Sequence, residues 1–257
     1  MAPMTRTRAI GNIPNKLIAT YYKQRASAGL IISEGASPSP NGLGYPRIPG
    51  AYSDDQIQGW KNIAEAVHSE NGKIFVQLMH TGRITAKLNM PAGSVTLAPS
   101  SIQAAGEMFT ETGMVADEIG SDKVGIRFSP YGAYNDMLSD YEELENTFIY
   151  LSQELTKIKL TYIHIVDQRV AFGAPDFTTN IKKIIKENFK GFVISRGDVD
   201  TVEKAEAILD SGLDLVYIGR PFISNPDFVK KLQNKEELIS PDTDTFYSAD
   251  EIGYTDY

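Results

Sequence analysis

Six short apolar segments recur along this chain, and each leads within a few residues to a polar or charged side chain. The segments are 30–32, 74–76, 124–126, 162–166, 192–194 and 215–218. Because a parallel strand is buried on both faces, its sequence is a continuous apolar run rather than an alternating one. Polar groups at the C-terminal ends of several such strands are typical of barrel enzymes built from alternating strands and helices. We therefore predict an α/β fold of the (β/α)8 TIM-barrel type.

Helix signals separate these apolar segments, which favours a parallel sheet. Ser53 and Gln56 have the spacing of a capping box and predict the start of one helix. Asn225 followed by Pro226 is a common cap and first-turn pair and predicts the start of the last helix. The polar, acidic tail after Ser240 carries four aromatic residues and is predicted to fold over the barrel. The predicted helices are 14–28, 53–72, 141–159, 178–189, 200–211 and 226–233.

One interval between the second and third predicted strands lacks this alternation. About 45 residues there show no clear helix or strand pattern, and Pro91 and Pro99 mark the first part as loop. A loop of that length is uncommon inside a compact domain. Since the chain contains no linker, repeat or low-complexity tract, we expect one domain over residues 1–257.

Composition argues against several classes of function. The net charge of −8 disfavours nucleic-acid binding, and no apolar run is long enough to span a membrane. With no cysteine there is no disulfide, thiol nucleophile or iron–sulfur cluster, and the three histidines lack the spacing of metal ligands. We therefore expect no metal. The N-terminal residues contain no signal-peptide apolar region, so we expect a cytoplasmic protein.

The last two predicted strands both lead to a glycine beside an arginine. Gly197 follows Arg196, and Gly219 precedes Arg220. Backbone N–H groups together with a guanidinium bind a phosphate dianion well, and barrel enzymes commonly bind phosphate after their last two strands. The pattern predicts a phosphorylated cofactor or substrate. An unrelated isomerase or aldolase barrel is the weakest alternative, because no lysine stands at these strand ends.

Six motifs, taken in order, resemble the old yellow enzyme family and most closely its N-ethylmaleimide reductase-like ene-reductases. They occupy residues 1–6, 22–29, 76–83, 125–130, 219–227 and 253–257. The resemblance implies an FMN-containing (β/α)8 barrel. It also implies that hydride passes from NADPH or NADH through the flavin to the activated C=C bond of a small α,β-unsaturated compound.

The same resemblance implies which residues contact the cofactor and the substrate. A guanidinium at a strand end, Arg127, would stabilise negative charge on the flavin pyrimidine edge. The Gln77 amide can both donate to and accept from that edge. The other implied cofactor residues are Pro3, Met4, Thr5, Gly35, Arg196, Gly197, Gly219 and Arg220. The implied substrate-binding residues are Tyr45 and Tyr254.

The chain departs from the family pattern in two places. It begins at the first motif, where the family has a preceding strand and hairpin, and the family's fourth barrel strand is missing near 116–121. That strand carries the substrate-binding His/Asn pair and the proton-donating tyrosine, so the catalytic residues are not identified. Removing one strand leaves two unpaired edges and disturbs barrel closure. We therefore keep open a second hypothesis, a catalytically impaired remnant that binds flavin or has lost it.

Overall fold

The computed structural model describes residues 1–82, 89–95, 125–130, 143–166, 179–196 and 199–257. It divides into two compact units, one formed by Met1–Glu118 with Gly219–Tyr257 and the other by Ile119–Ile218. In chain order the elements are α1 (Lys16–Gln24), β1 (Ile31–Ala36), α2 (Asp54–His68), β2 (Ile74–Leu78), β3 (Gly125–Phe128), α3 (Leu144–Lys157), β4 (Tyr162–Ile165), α4 (Ile181–Asn188), β5 (Phe192–Arg196), α5 (Val202–Asp210), β6 (Leu215–Tyr217), α6 (Pro221–Ser224) and α7 (Phe228–Asn234). All six apolar segments form strands, as predicted. The predicted deletion near 116–121 lies outside the described residues.

In the first unit, β1 and β2 form a parallel pair. The predicted capping box starts α2: the Ser53 hydroxyl accepts from Gln56 N at 3.3 Å, and Gln56 Oε1 accepts from Ser53 N at 3.2 Å. Helix α1 is shorter at both ends than the predicted 14–28. Asn15 caps it by accepting from Ile18 N at 3.1 Å, so Pro14 precedes the first turn, and the helix ends at Gln24. Local capping chemistry therefore defines where both helices begin.

The second unit contains a four-stranded parallel sheet in the order β3–β4–β5–β6. Ile163, Ile165 and Val193 pack with residues of α3 and α4 in one aliphatic core. Since side chains alternate across a strand, the residues between them lie on the other face of the sheet. The register places Arg127 of β3 beside His164 of β4 on that face. The sheet thus has one face packed in the apolar core and an opposite face that carries Arg127 and His164.

The predicted start of the last helix is wrong. Helix α7 begins at Phe228, and its N-cap residue, Asp227, makes no side-chain capping bond. Asn225 Oδ1, the atom that would accept a capping bond, instead accepts from Ile239 N at 2.9 Å. Its Nδ2 donates to Pro221 O at 2.8 Å and to Ile239 O at 2.9 Å. The amide found tertiary partners that outcompeted a local cap, and it ties the unpredicted short helix α6 to the tail.

Two features are missing from the described part of the chain. None of its helices is both long enough and apolar enough to cross a membrane. Its histidine, aspartate and glutamate side chains form no group of three that could hold a metal ion. Both statements concern only the residues that the structure describes.

Candidate functional site

The N-terminal segment lies along the edge of β1. Met1 N donates to Leu30 O at 2.6 Å, and Ile32 N donates to Met1 O at 3.1 Å. Further along, Arg6 N donates to Glu34 Oε2 at 3.1 Å. The predicted cofactor residues Pro3, Met4 and Thr5 form the stretch between these anchors, with Pro3 buried and the other two half-buried.

Two predicted cofactor residues from distant parts of the sequence lie side by side in the first unit. A Cβ added to Gly219 would lie 3.6 Å from Met4 Sδ and 3.6 Å from Ala2 Cβ. These are ordinary van der Waals distances. Arg220 follows at the start of α6, and its side chain is exposed. The structure therefore brings Met4 and Gly219 together and leaves the Arg220 guanidinium accessible.

Gly35 and Gln77 also meet, because they pair in register at the C-terminal ends of β1 and β2. The space above Gly35 is filled by Met79, since an added Cβ would lie 2.6 Å from Met79 Cε. Gln77 is half-buried, and its backbone N–H donates to Ser33 Oγ at 3.0 Å. In this structure the small size of Gly35 therefore allows the Met79 side chain to pack closely against its backbone. The cofactor roles of Gly35 and Gln77 stay predictions.

The two predicted substrate residues occupy different environments. Tyr45 is half-buried in the loop between β1 and α2. Tyr254 has no exposed surface, and its ring stacks on that of Tyr21 with centroids 4.0 Å apart and planes 3° from parallel. The Tyr254 ring thus lies in the interior of the first unit. Its contact with substrate, like that of Tyr45, stays a prediction.

In the second unit, Arg127 lies on the face of the sheet opposite the apolar core. Its side chain is open to solvent and is hydrogen-bonded to the Tyr217 side chain of β6. Surrounding protein displaces part of its hydration and lowers the pKa of Arg127, while Tyr217 opposes that effect. Arginine remains a cation under these conditions. An accessible, oriented positive charge therefore stands at the C-terminal end of β3.

His164 lies beside this cation on the neighbouring strand. A histidine inside the apolar segment 162–166 is predicted from the sequence to be a core residue with its hydrogen bonds satisfied. His164 is buried, and its ring makes an edge contact with Tyr217 at a centroid distance of 4.2 Å. Burial, followed by the charge of Arg127, lowers the pKa of His164 to about 3. The imidazole is therefore neutral at physiological pH. Its Nε2 atom has no hydrogen-bond partner among the described residues, so the prediction of a fully satisfied histidine is not met.

Sequence reasoning missed Tyr217, which contacts both Arg127 and His164. The available signal was a phenol within an otherwise apolar strand segment. Arg196 is the last residue of β5 and pairs in register with Tyr217. Gly197 lies outside the described residues, so the geometry of this predicted phosphate turn stays a prediction.

Sequence reasoning also missed a polar network in the interior of the first unit. Arg6, Arg8 and Arg25 are among its largest fully buried side chains. The sequence places Glu34 just after an apolar strand segment and indicates no partner for its carboxylate. In the structure Glu34 is buried with the arginines and accepts from the backbone N–H groups of Arg6 and Thr7. Burial raises the pKa of Glu34 to about 7, although those N–H groups and the nearby arginines oppose the rise.

A family model described as the NADH:flavin oxidoreductase / NADH oxidase family matches residues 1–114 and 112–238. The chain belongs to this family. The resemblance predicted from the six motifs is therefore confirmed. FMN and a reduced nicotinamide, both predicted from that resemblance, are the cofactors of this family of oxidoreductases.

Individual relatives of the NADH:flavin oxidoreductase family match the whole chain. The 12-oxophytodienoate reductase 1 of Oryza sativa subsp. japonica is 28% identical over 337 positions that include 100% of this chain and 88% of the relative. A structure of morphinone reductase in complex with tetrahydroNAD is 30% identical with a TM-score of 0.86, covering 100% of this chain and 92% of its own. The structure of the old yellow enzyme homologue from Zymomonas mobilis is 28% identical with a TM-score of 0.83. The match covers 100% of this chain and 94% of the homologue.

These likenesses also establish the fold class. The fold is of the (β/α)8 barrel type, as predicted, and the six described strands are fewer than the eight of a complete barrel. The rice reductase alignment spreads 257 residues over 337 positions, which leaves 80 positions without a residue of this chain. The family match likewise comes in two segments that meet at 112–114. A missing fourth strand near 116–121 stays a prediction.

The residues that each unit presents fit a flavin mononucleotide. The first unit offers the half-buried Gln77 amide, the exposed Arg220 guanidinium and the uncrowded Gly219. The second unit offers the accessible Arg127 guanidinium held by Tyr217. An amide and a guanidinium complement the pyrimidine edge, and a further guanidinium beside glycine complements a phosphate. Each unit taken by itself therefore offers groups of a kind that can bind the family's cofactor.

Proposed function

We propose that this chain binds FMN and uses NADPH or NADH to reduce the activated C=C bond of small α,β-unsaturated compounds. The observation that carries the proposal is the accessible Arg127 guanidinium, oriented by Tyr217 at the C-terminal end of a barrel strand. FMN held by these residues would supply hydride transfer from the nicotinamide to the alkene. A fixed cation beside the flavin pyrimidine edge favours the extra negative charge of the reduced ring.

The remaining predicted residues divide the work of holding the cofactor. Gln77 recognises the pyrimidine edge, and the backbone of Pro3–Thr5 packs on the ring. Gly35 contributes a small residue beside the flavin. The phosphate is held by backbone N–H groups and guanidinium groups after the last two strands. Those phosphate residues are Arg196, Gly197, Gly219 and Arg220.

Relatives support carbonyl-activated alkenes as the substrate class. The names of 12-oxophytodienoate reductase and morphinone reductase both specify oxo compounds. A conjugated carbonyl withdraws electrons from the C=C bond and makes it a hydride acceptor. We place Tyr45 and Tyr254 on the substrate side of the flavin. Because the proton donor is not identified, solvent supplies the proton in this proposal.

A second candidate function is a catalytically impaired remnant that binds flavin or has lost it. The interruption of the family match at 112–114 and the 80 unfilled alignment positions favour it. Loss of the groups that bind the substrate carbonyl removes electrostatic stabilisation of the transition state, which is commonly among the largest catalytic effects. We therefore expect alkene reduction that is weaker than in complete relatives.

The proposed partner is a small electron-poor alkene rather than nucleic acid. The net charge of −8 supports this, because nucleic-acid binding requires a basic surface. We propose a cytoplasmic location, for which the absence of cysteine is compatible with a reducing compartment.

The test is a visible absorption spectrum of the purified chain, followed by identification of the released cofactor. Bound FMN together with NADPH oxidation that depends on N-ethylmaleimide or 2-cyclohexenone supports the reductase. Bound FMN without alkene-dependent oxidation supports the remnant. A folded, colourless protein that does not take up added FMN contradicts the reductase and supports a remnant that has lost its cofactor.

A further inference from the structure

The C-terminal residues wrap around two arginines that follow the proposed flavin-binding segment. The Arg8 guanidinium donates to the carbonyl oxygens of Thr245, Phe246, Asp250 and Ile252 at 2.9–3.0 Å. The Arg6 guanidinium donates to Phe246 O at 3.1 Å and to Gly253 O at 2.7 Å. We call residues 245–253, together with Arg6 and Arg8, the tail clasp. It links chain segments about 240 residues apart.

We propose that the tail clasp positions the Pro3–Thr5 backbone for the flavin, with Arg8 as the central positioning residue. The inference rests on the proposed FMN binding. Pro3–Thr5 is fixed from its two ends, by Met1 on β1 and by Arg6–Arg8 in the clasp. The contacts that fix Arg6 and Arg8 therefore also fix the position of the Pro3–Thr5 backbone.

The backbone at the clasp is held in a strained conformation. Thr7 has φ of 57°, in the left-handed region that a β-branched residue rarely adopts. Its N–H donates to the Glu34 carboxylate, and its hydroxyl donates to Tyr247 O at 3.0 Å. Such strain persists only where surrounding contacts over-determine the backbone. The contacts of Glu34 and the tail supply that constraint between Arg6 and Arg8.

Within the tail clasp, the two arginines and the tail residues stabilise each other. A buried guanidinium is tolerable only when its donors are satisfied, and here main-chain carbonyls satisfy them. The Arg8 Cζ atom also lies 4.6 Å from the centroid of the Tyr254 ring, a cation–π distance. Displacing the tail would leave the Arg8 guanidinium with Arg6 O as its acceptor among the described residues, in place of the tail carbonyls. The tail is therefore part of the support of the N-terminal segment.

Gly253 closes the clasp from the tail side. It has φ of +63°, and an added Cβ would lie 1.7 Å from Thr245 Oγ1. Gly253→Ala therefore opens the clasp while both arginines remain. Gly11 provides a matched control in the same unit, because its φ is +65° and an added Cβ would meet nothing within 4 Å. The two alanine variants share the backbone penalty and differ in the clash.

The experiment compares FMN and riboflavin binding by the full chain and by the Arg8→Lys, Gly253→Ala, Gly11→Ala and Arg220→Ala variants. For Arg8→Lys and Gly253→Ala we expect both dissociation constants to rise about tenfold, within the usual range of coupling between sites. Both should rise equally because Pro3–Thr5 packs on the ring that the two ligands share. Arg220→Ala should weaken FMN alone, because riboflavin lacks the phosphate. Gly11→Ala should match the wild type.

Each other outcome has a definite meaning. Folded Arg8→Lys or Gly253→Ala protein with wild-type affinity for both flavins overturns the inference. Wild-type protein that binds neither flavin overturns the proposed function instead, so the two failures are distinguishable.

A measurement on wild-type protein decides the matter if the variants do not fold. Because coupling between sites is reciprocal, FMN should slow amide hydrogen exchange in residues 246–254. Unchanged exchange in that segment on saturation with FMN overturns the inference.

Discussion

The two units build similar strand–helix layers around interiors of opposite character. The first buries three arginines and a glutamate, whose partners are main-chain groups from both ends of the chain. The second buries an aliphatic core between its sheet and helices α3 and α4. An apolar core tolerates changes that conserve volume, whereas a buried polar network is strongly destabilised when one member loses its partners. The units should therefore respond differently to mutation and to pH.

The largest difference should come from truncating a buried arginine. Arg25 donates to Tyr21 O and Phe222 O at 2.8 Å and to Ile223 O at 2.7 Å. Arg25→Met keeps the apolar stem but leaves these buried carbonyls unpaired, so we expect a loss of about 4 kcal/mol in unfolding free energy. Ile185→Val in the second unit should lose only about 1 kcal/mol. Equal losses of unfolding free energy in urea titrations of the two variants would contradict the difference between the units.

The second prediction concerns Glu34, whose pKa is raised from 4.5 to about 7 by burial. The folded state holds this proton more tightly than the unfolded state, so the contribution is complete below pH 4.5 and is lost as pH rises through 7. The full change is about 3 kcal/mol. Glu34→Gln should abolish it. Urea unfolding of wild type and variant at pH 5 and pH 8 measures the difference, and parallel pH profiles would contradict it.

His164 should give the opposite slope in the second unit. Its pKa falls from 6.5 to about 3, first because of burial and second because of Arg127. The contribution is complete above pH 6.5 and is lost as pH falls, by about 2 kcal/mol between pH 6.5 and 5. His164→Phe keeps a ring beside Tyr217 and removes the titration. Glu34 titrates in both proteins, so the measurement is the difference in unfolding free energy between wild type and variant. That difference should change by about 2 kcal/mol between these two pH values, and an unchanged difference would contradict the prediction.

The smallest effect concerns flavin retention rather than stability. Arg127→Ala should raise the FMN dissociation constant about tenfold, because a charge-assisted contact is lost. The Arg127 side chain is exposed, so the unfolding free energy should change little. Lys157→Ala, another exposed cation in the same unit, is the control and should leave the dissociation constant unchanged. Unaltered flavin occupancy in Arg127→Ala would remove Arg127 from the proposed site.

The strands and most helices of both units could be predicted because their signals are local. The apolar segment 162–166 contains β4, and the Ser53–Gln56 box contains its own capping partners. Asn225 is a position where a local sequence signal did not predict the structure. Its Oδ1 could accept a capping bond, yet in the folded chain this atom accepts from the backbone N–H of Ile239. Competition between local and tertiary hydrogen bonds is decided only in the folded chain.

The sequence by itself determined the order of strands, the polar residues that follow them and the family to which the chain belongs, since each depends on contiguous residues. Tertiary structure alone decided that Arg8 is buried among carbonyls of 245–252, that Tyr254 is interior and that His164 is neutral beside Arg127. Burial, charge and partners of a side chain depend on segments far away in sequence. The residues next to an arginine or a glutamate in the sequence therefore do not predict its burial or its hydrogen-bond partners.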